Sequence, residues 1–182
     1  MSRFIITGDW HITDQRPENR IDNYADAMLE KVQFILGMAN SRDAYAILQP
    51  GDFTNSPTIN YEVFGKYAEI FNKSCCEIVT TYGQHDLLHR RMENTALSAF
   101  DKACDNIRLL KNDITVGNED FEIYASAYGE DIPPIRAESR RKDKFNILIT
   151  HRMVIHRKLW RGQTEFTTAK KLLSDNKGYH LS

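Results

Sequence analysis

Short apolar runs alternate along the chain with longer stretches in which apolar residues recur every three or four positions. Phe4-Ile5-Ile6 is the first run and predicts a buried strand. Around a start signal at Asp22 or Asn23, the residues Ile21, Tyr24, Ala25, Met28, Leu29, Val32, Ile35 and Leu36 keep helical spacing. Ala44–Leu48 predicts a second strand, Tyr61, Phe64, Tyr67, Ala68 and Phe71 a second helix, and the β-branched run Glu77–Thr81 a third strand. A helix over Met92–Ala103 follows, then short strands at Ile107–Leu110, Ile114–Val116 and Phe121–Ser126, a longer one at Phe145–Thr150, and a last helix around Phe166–Leu173. Strands and helices alternate first and hairpin-like strands come later. That order predicts an α/β (α+β) layered fold with a sheet buried on both faces.

Composition narrows the class. With 182 residues, 41% hydrophobic and 27% charged, 9 Gly and 5 Pro, the chain has the make-up of one globular domain over 1–182 and excludes a collagen-like, low-complexity or wholly disordered polymer. No run approaches the roughly 18 apolar residues of a membrane span, and the N-terminal apolar run is too short for a secretory signal, so a cytoplasmic protein without membrane contact is expected. Three cysteines, Cys75, Cys76 and Cys104, lack metal-site spacing and are expected as reduced, mostly buried thiols.

Net charge is only −1, but it is unevenly spread: residues 136–161 carry nine Lys or Arg against Glu138 and Asp143. A basic face of that kind suits a phosphate-bearing partner, although a merely solvated charged segment has the same composition.

The residues just after each strand carry the chemistry. Phe4–Thr7 runs into Gly8-Asp9-Trp10-His11, Ala44–Leu48 into Pro50-Gly51-Asp52-Phe53-Thr54-Asn55, Ile78–Thr81 into Gly83-Gln84-His85-Asp86, and Phe145–Thr150 into His151. In α/β sheets ligands bind where the C-terminal strand ends converge. Carboxylates, imidazoles and a carboxamide suit Mn²⁺, Fe²⁺, Zn²⁺ or Ni²⁺, whereas a site for Mg²⁺ alone favours oxygen throughout. Two such ions about 3.5–4 Å apart can activate water and neutralise an in-line attack on phosphorus.

This ordered set resembles the calcineurin-like metallophosphoesterases over nearly the whole chain. Within that family, Gly83–Leu97 and Arg157–Gln163 look most like SbcD-type DNA repair exonucleases, including versions carried by phages. The resemblance implies a layered β-sandwich flanked by helices and two divalent ions, most readily Mn²⁺. Asp9 and His11 would bind the first ion, Asp52 would bridge both, and Gln84 and His151 would bind the second, with Gln84 standing where the family usually has Asn. By the same resemblance His85 would face the phosphate and protonate the leaving oxygen, Asp86 would orient its ring, and Asn55 would support the site by a hydrogen bond or by holding its loop.

DNA is the expected partner, with Arg140, Arg141, Lys142, Arg152, Arg157 and Lys158 as candidate backbone contacts. An ATPase subunit of the SbcC type and a homodimer are further candidate partners. A small-molecule or phosphoprotein phosphoesterase and a noncatalytic metal-binding scaffold are the alternatives. His89, His156 and His180 are expected as ordinary histidines. Trp10 and Trp160 are expected to pack rather than stack on a base. The family closes its site with a further Gly-x-x-His or Gly-His-x-His turn, and Lys177–Ser182 reads as the start of the strand before it. The expectation is therefore a C-terminally incomplete site, weakly active or inactive.

Overall fold

A computed structural model describes residues 2–111, 115–141, 144–164 and 166–181. The chain divides into two compact units, Met1–Leu109 and Leu110–Ser182. The first is a βα alternation: β1 (Phe4–Ile6), α1 (Tyr24–Ser41), β2 (Ala46–Gln49), α2 (Tyr61–Asn72), β3 (Glu77–Thr80), α3 (Ala96–Ala103) and β4 (Ile107–Leu109). Its sheet has the order β1-β2-β3-β4, every pair parallel, so each crossover steps to the next strand in one direction. Right-handed crossovers of that kind put successive helices on one face. Accordingly α1 packs on α2 and α2 on α3.

Each helix starts where a side chain can accept a free backbone N–H. Asn23 caps α1, Asn60 caps α2, and Thr95 with Ser98 forms a reciprocal capping box on α3. These caps explain two departures from the pattern. Ile21, expected within the first helical stripe, lies before the Asn23 cap and is fully exposed. The third helix begins at Ala96 rather than near Met92, because Asn94 is left-handed (φ 57°) and Thr95 is extended.

The core of this unit is aromatic. Phe53, Phe71 and Phe100 are wholly buried, with ring centroids 5.6–5.7 Å apart. Trp10 packs on Phe53 and Phe71 as expected, its indole N–H donating to Thr7 Oγ1 at 3.1 Å. Cys76 and Cys104 are buried and Cys75 exposed, all three free thiols.

The second unit holds β5 (Val116–Gly117), β6 (Phe121–Ser126), α4 (Ala137–Arg141), β7 (Phe145–Thr150), α5 (Ala169–Asp175) and β8 (His180–Leu181), in sheet order β5-β6-β7-β8. Only β5–β6 is a hairpin; β6–β7 and β7–β8 are parallel. The hairpin-like reading of the later strands therefore holds for one pair alone. The connection through α4, which the charged sequence did not announce, brings β7 back parallel. Of the strand expected at Ile114–Val116, Ile114 lies outside the described residues, and the last helix begins at Ala169 behind a Thr168 cap. No helix among the described residues is long and apolar enough to cross a membrane.

A buried carboxylate organises the α4 connection. Glu122 Oε1 accepts from Thr115 Oγ1 at 2.8 Å and faces Arg136 Nη1 at 3.3 Å, while Oε2 accepts from Tyr124 Oη at 2.9 Å and from Ser139 Oγ. The Arg136 amide in turn donates to Tyr124 Oη at 3.1 Å. One acid thus ties the basic segment to β6. Glu122→Ala would leave the Tyr124 and Ser139 hydroxyls without their acceptor, and urea denaturation should show a loss of about 2–3 kcal/mol. A change below about 0.5 kcal/mol, the size usual for surface substitutions, would show that water replaces the carboxylate freely.

Candidate metal centre

The loops after β1 and β2 run side by side beyond the sheet. The Trp10 and His11 amides both donate to the Asp52 carbonyl at 3.1 and 2.9 Å, Ile12 N to Phe53 O at 3.0 Å, and Asn55 N to Ile12 O at 3.0 Å. These bonds hold two unusual backbones, since His11 and Asp52 are both left-handed at φ 49°. Such a conformation costs of order 1–3 kcal/mol and persists only where the surroundings impose it. Gln49, wholly buried at the end of β2, fastens the turn: its amide donates to Gly51 O at 2.6 Å, and its Oε1 accepts from Gly51 N at 3.1 Å and from Thr80 Oγ1 on β3 at 2.5 Å.

The loop after β3 closes against these two. A Cβ on Gly83 would lie 2.1 Å from Asp52 N and 2.2 Å from Asp52 Oδ1, so only glycine lets the two backbones approach this closely. Asp86, wholly buried, accepts four hydrogen bonds: from Phe53 N (3.1 Å), Thr54 N (2.8 Å), Thr54 Oγ1 (2.9 Å) and Gly83 N (2.9 Å). Burial pushes the Asp86 carboxyl above the usual carboxylate range, and the four donors oppose it.

Three side chains from three adjacent strand ends then meet. The ligand atoms of His11, Asp52 and His85 all lie within 4.8 Å of one another. Asp52 is only 2% exposed; its Oδ1 accepts from the His85 amide at 2.8 Å, and its Oδ2 stands 3.8 Å from His11 Nε2 and 4.0 Å from His85 Nε2. Separations of 3.8–4.0 Å are too long for direct hydrogen bonds. His85 Nδ1 sits 3.1 Å from the Asn55 carbonyl. A carbonyl can only accept, so Nδ1 carries the proton and a neutral His85 turns a lone pair on Nε2 toward Asp52.

The donor set fits a divalent cation. A buried carboxylate needs compensating positive charge, and two imidazoles with one carboxylate suit borderline metals. His11 Nδ1, buried and without a hydrogen-bond partner among the described residues, shows that the ring is not held by a network of its own.

The structure brings some of the predicted residues together at the ends of β1, β2 and β3. Asp9 is exposed, its Oδ2 3.8 Å from His11 Nε2 at the edge of the cluster. Gln84 is exposed, and His85, expected to face the phosphate rather than the ions, lies within the three-residue cluster. Asp86, expected to orient the His85 ring, instead holds the loop backbones, and the ring is met by the Asn55 carbonyl. Asn55 thus contributes through its main chain, its residue being exposed. His151 belongs to the second unit, at the end of β7, where its amide donates to Ser126 O at 3.3 Å and its ring lies 6.2 Å from Tyr128.

Among the candidate backbone contacts, Arg140, Arg157 and Lys158 are exposed, and Arg141 is the last residue of α4. Arg152 is turned inward, its guanidinium donating to the Glu130 carbonyl and to Ser126 Oγ, because the loop carbonyl after β6 offers a charge-assisted bond at short reach. Lys142 lies outside the described residues. Sequence reasoning missed Gln49 and Thr54. A glutamine closing the apolar run Ala46-Ile47-Leu48 was the available signal for the first.

A model of the calcineurin-like phosphoesterase family matches residues 2–179. Among solved structures, TT1561 of Thermus thermophilus is similar with a TM-score of 0.58 and 15% identity, over 97% of this chain and 78% of that one. At that identity the likeness establishes the shared fold. An archaeal phosphodiesterase aligns with a TM-score of 0.42 and 11% identity, over 94% of this chain and 87% of that one. No curated protein matches the chain significantly.

Asp86→Ala would strand three backbone N–H groups and one hydroxyl in a dry interior. The expected loss of stability is about 3–5 kcal/mol, with Asp86→Asn falling between the variant and the parent because its amide oxygen still accepts. Chemical denaturation of the three proteins checks the order, and equal stabilities would mean that the loops do not depend on this carboxylate.

Proposed function

The chain belongs to the calcineurin-like phosphoesterase family, and from that premise we propose that it is a two-metal phosphodiester hydrolase acting on DNA, a nuclease of the SbcD type. The observation that carries the metal-dependent chemistry is the His11–Asp52–His85 cluster around one buried carboxylate. The nuclease assignment rests on the sequence resemblance and on the basic segment 136–161.

Asp9, His11 and Asp52 would hold the first ion, with Asp52 shared. Gln84 and His151 carry the second-ion assignment on the family resemblance alone. When bound, a pair of divalent cations supplies Lewis acidity toward the phosphate and a nucleophile from water at neutral pH. The chain's own residues do the rest. Asp52 is fixed by its carboxylate, which accepts from the His85 amide, and by its carbonyl, which accepts from the Trp10 and His11 amides, so both neighbouring loops hold it in place. His85, with Nδ1 committed to the Asn55 carbonyl, can act only through Nε2. Protonated there, it donates to a leaving alkoxide; neutral there, it is a ligand. Its place in the cluster favours ligation as a second reading of its role.

Two variants separate these roles. Asp52→Ala should abolish calorimetric Mn²⁺ binding, and undiminished binding would remove Asp52 from the site. His85→Ala should keep Mn²⁺ while hydrolysis of bis(p-nitrophenyl) phosphate falls about 10²–10⁴-fold, the range typical of general acid catalysis. Loss of Mn²⁺ from His85→Ala would instead make His85 a ligand. Degradation of DNA with the same Mn²⁺ requirement tests the nuclease assignment, and hydrolysis confined to small phosphate esters would overturn it.

A further inference from the structure

The loop between β7 and α5 is built to present an aromatic ring among cations. Its neck is closed by a parallel bridge between Val154 and Thr167, with Ile155 N donating to Thr167 O and Thr167 N to Met153 O, both at 2.9 Å. Its tip is pinned from inside by Gln163, 3% exposed, whose Oε1 accepts from Leu159 N at 2.9 Å and whose amide nitrogen reaches Met153 Sδ at 2.9 Å. Lys158 lies with its ammonium 5.7 Å from the Phe166 ring centroid. The turn is therefore a fixed one.

What it displays is unlike a packing surface. Trp160 is 57% exposed, contrary to the expectation that it packs, because the pinned turn faces its ring away from the unit's interior. Arg157, Lys158 and Arg161 flank it, all exposed, and among the described residues neither Arg157 nor Arg161 has a carboxylate partner. Arg157 and Arg161, without a carboxylate partner among the described residues and beside an open indole, match a ligand that carries phosphates and bare π-faces together. Single-stranded nucleic acid has both, whereas a duplex hides its base faces. We propose that residues 157–161 form a platform for single-stranded nucleic acid, with a base stacked on Trp160 and phosphates met by Arg157 and Arg161. The proposal deepens the nuclease reading and rests on it for the class of polymer.

The chain's two tryptophans make the platform measurable, since Trp10 is 8% exposed and Trp160 is the one a ligand can reach. Oligo-dT titrated in EDTA, where hydrolysis is suppressed, should quench tryptophan fluorescence to saturation. Trp160→Ala should lose that quench and bind a labelled oligo-dT about 10-fold more weakly, with Trp160→Phe restoring most of the affinity. An abasic strand of equal length should bind the parent about as weakly as oligo-dT binds Trp160→Ala. Removing Arg157 and Arg161 together should lower the slope of log K against log salt by about 1.4 for single strands.

Parental affinity in Trp160→Ala, equal quenching by the abasic strand, or quenching by anionic phosphatidylserine vesicles in place of oligo-dT would each overturn the platform. Parental hydrolysis of bis(p-nitrophenyl) phosphate, measured separately with Mn²⁺, distinguishes the two ideas. If it proceeds while Trp160 has no part in binding, the platform alone fails; if it is absent while Trp160-dependent binding persists, the hydrolase reading alone fails.

Discussion

A carboxylate with four donors sets the geometry of the first unit's functional end. Asp86 gathers Phe53 N, Thr54 N, Thr54 Oγ1 and Gly83 N onto two oxygens, so the loops after β2 and β3 cannot part without stranding several buried polar groups. Asp52 and His85 are the residues beside those anchored amides. Their positions follow from the anchor: Asp52 is next to Phe53 and His85 next to Asp86 itself. The loop after β1 is drawn in through the Asp52 and Phe53 carbonyls, so all three ligand-bearing turns are coupled to one buried acid.

The second unit uses a carboxylate for a different end. Glu122 joins strand β5's approach, β6 and the α4 connection, and its partners are mostly hydroxyls, from Thr115, Tyr124 and Ser139. Both acids convert a costly buried charge into a fixed backbone, the one under the metal-binding turns and the other under the basic segment.

Much of this was legible in the sequence, for a definite reason. Apolar runs ending in glycine with an acid or histidine marked β1, β2 and β3 and the residues after them, and an apolar run ending in histidine marked β7, because strand burial and turn chemistry are local properties. Pairing is not local. The parallel return of β7 beside β6 through the five-residue helix α4 depends on Glu122 finding Arg136 and Ser139, which no periodicity encodes. The same limit explains Asp86: its spacing after His85 suggests a partner for that ring, while three of its four donors belong to Phe53 and Thr54, more than thirty positions upstream. Trp160 departs from the usual packing of a tryptophan, and only the inward-facing Gln163 shows why this one is held outside.

The order β1-β2-β3 makes the sheet a ruler. Neighbouring strands stand about 4.8 Å apart, so the first and third are nearly twice that distance from each other. Yet the His11 and His85 rings they carry have centroids only 4.9 Å apart, above a carboxylate from the strand between them. The turns must lean inward to close that gap, and left-handed His11 and Asp52, with a glycine at 83, are how they lean. Transplanting the histidines and the aspartate onto another parallel sheet would therefore reproduce the ligand types without their spacing. What has to be inherited together with them is the tilt of the backbone.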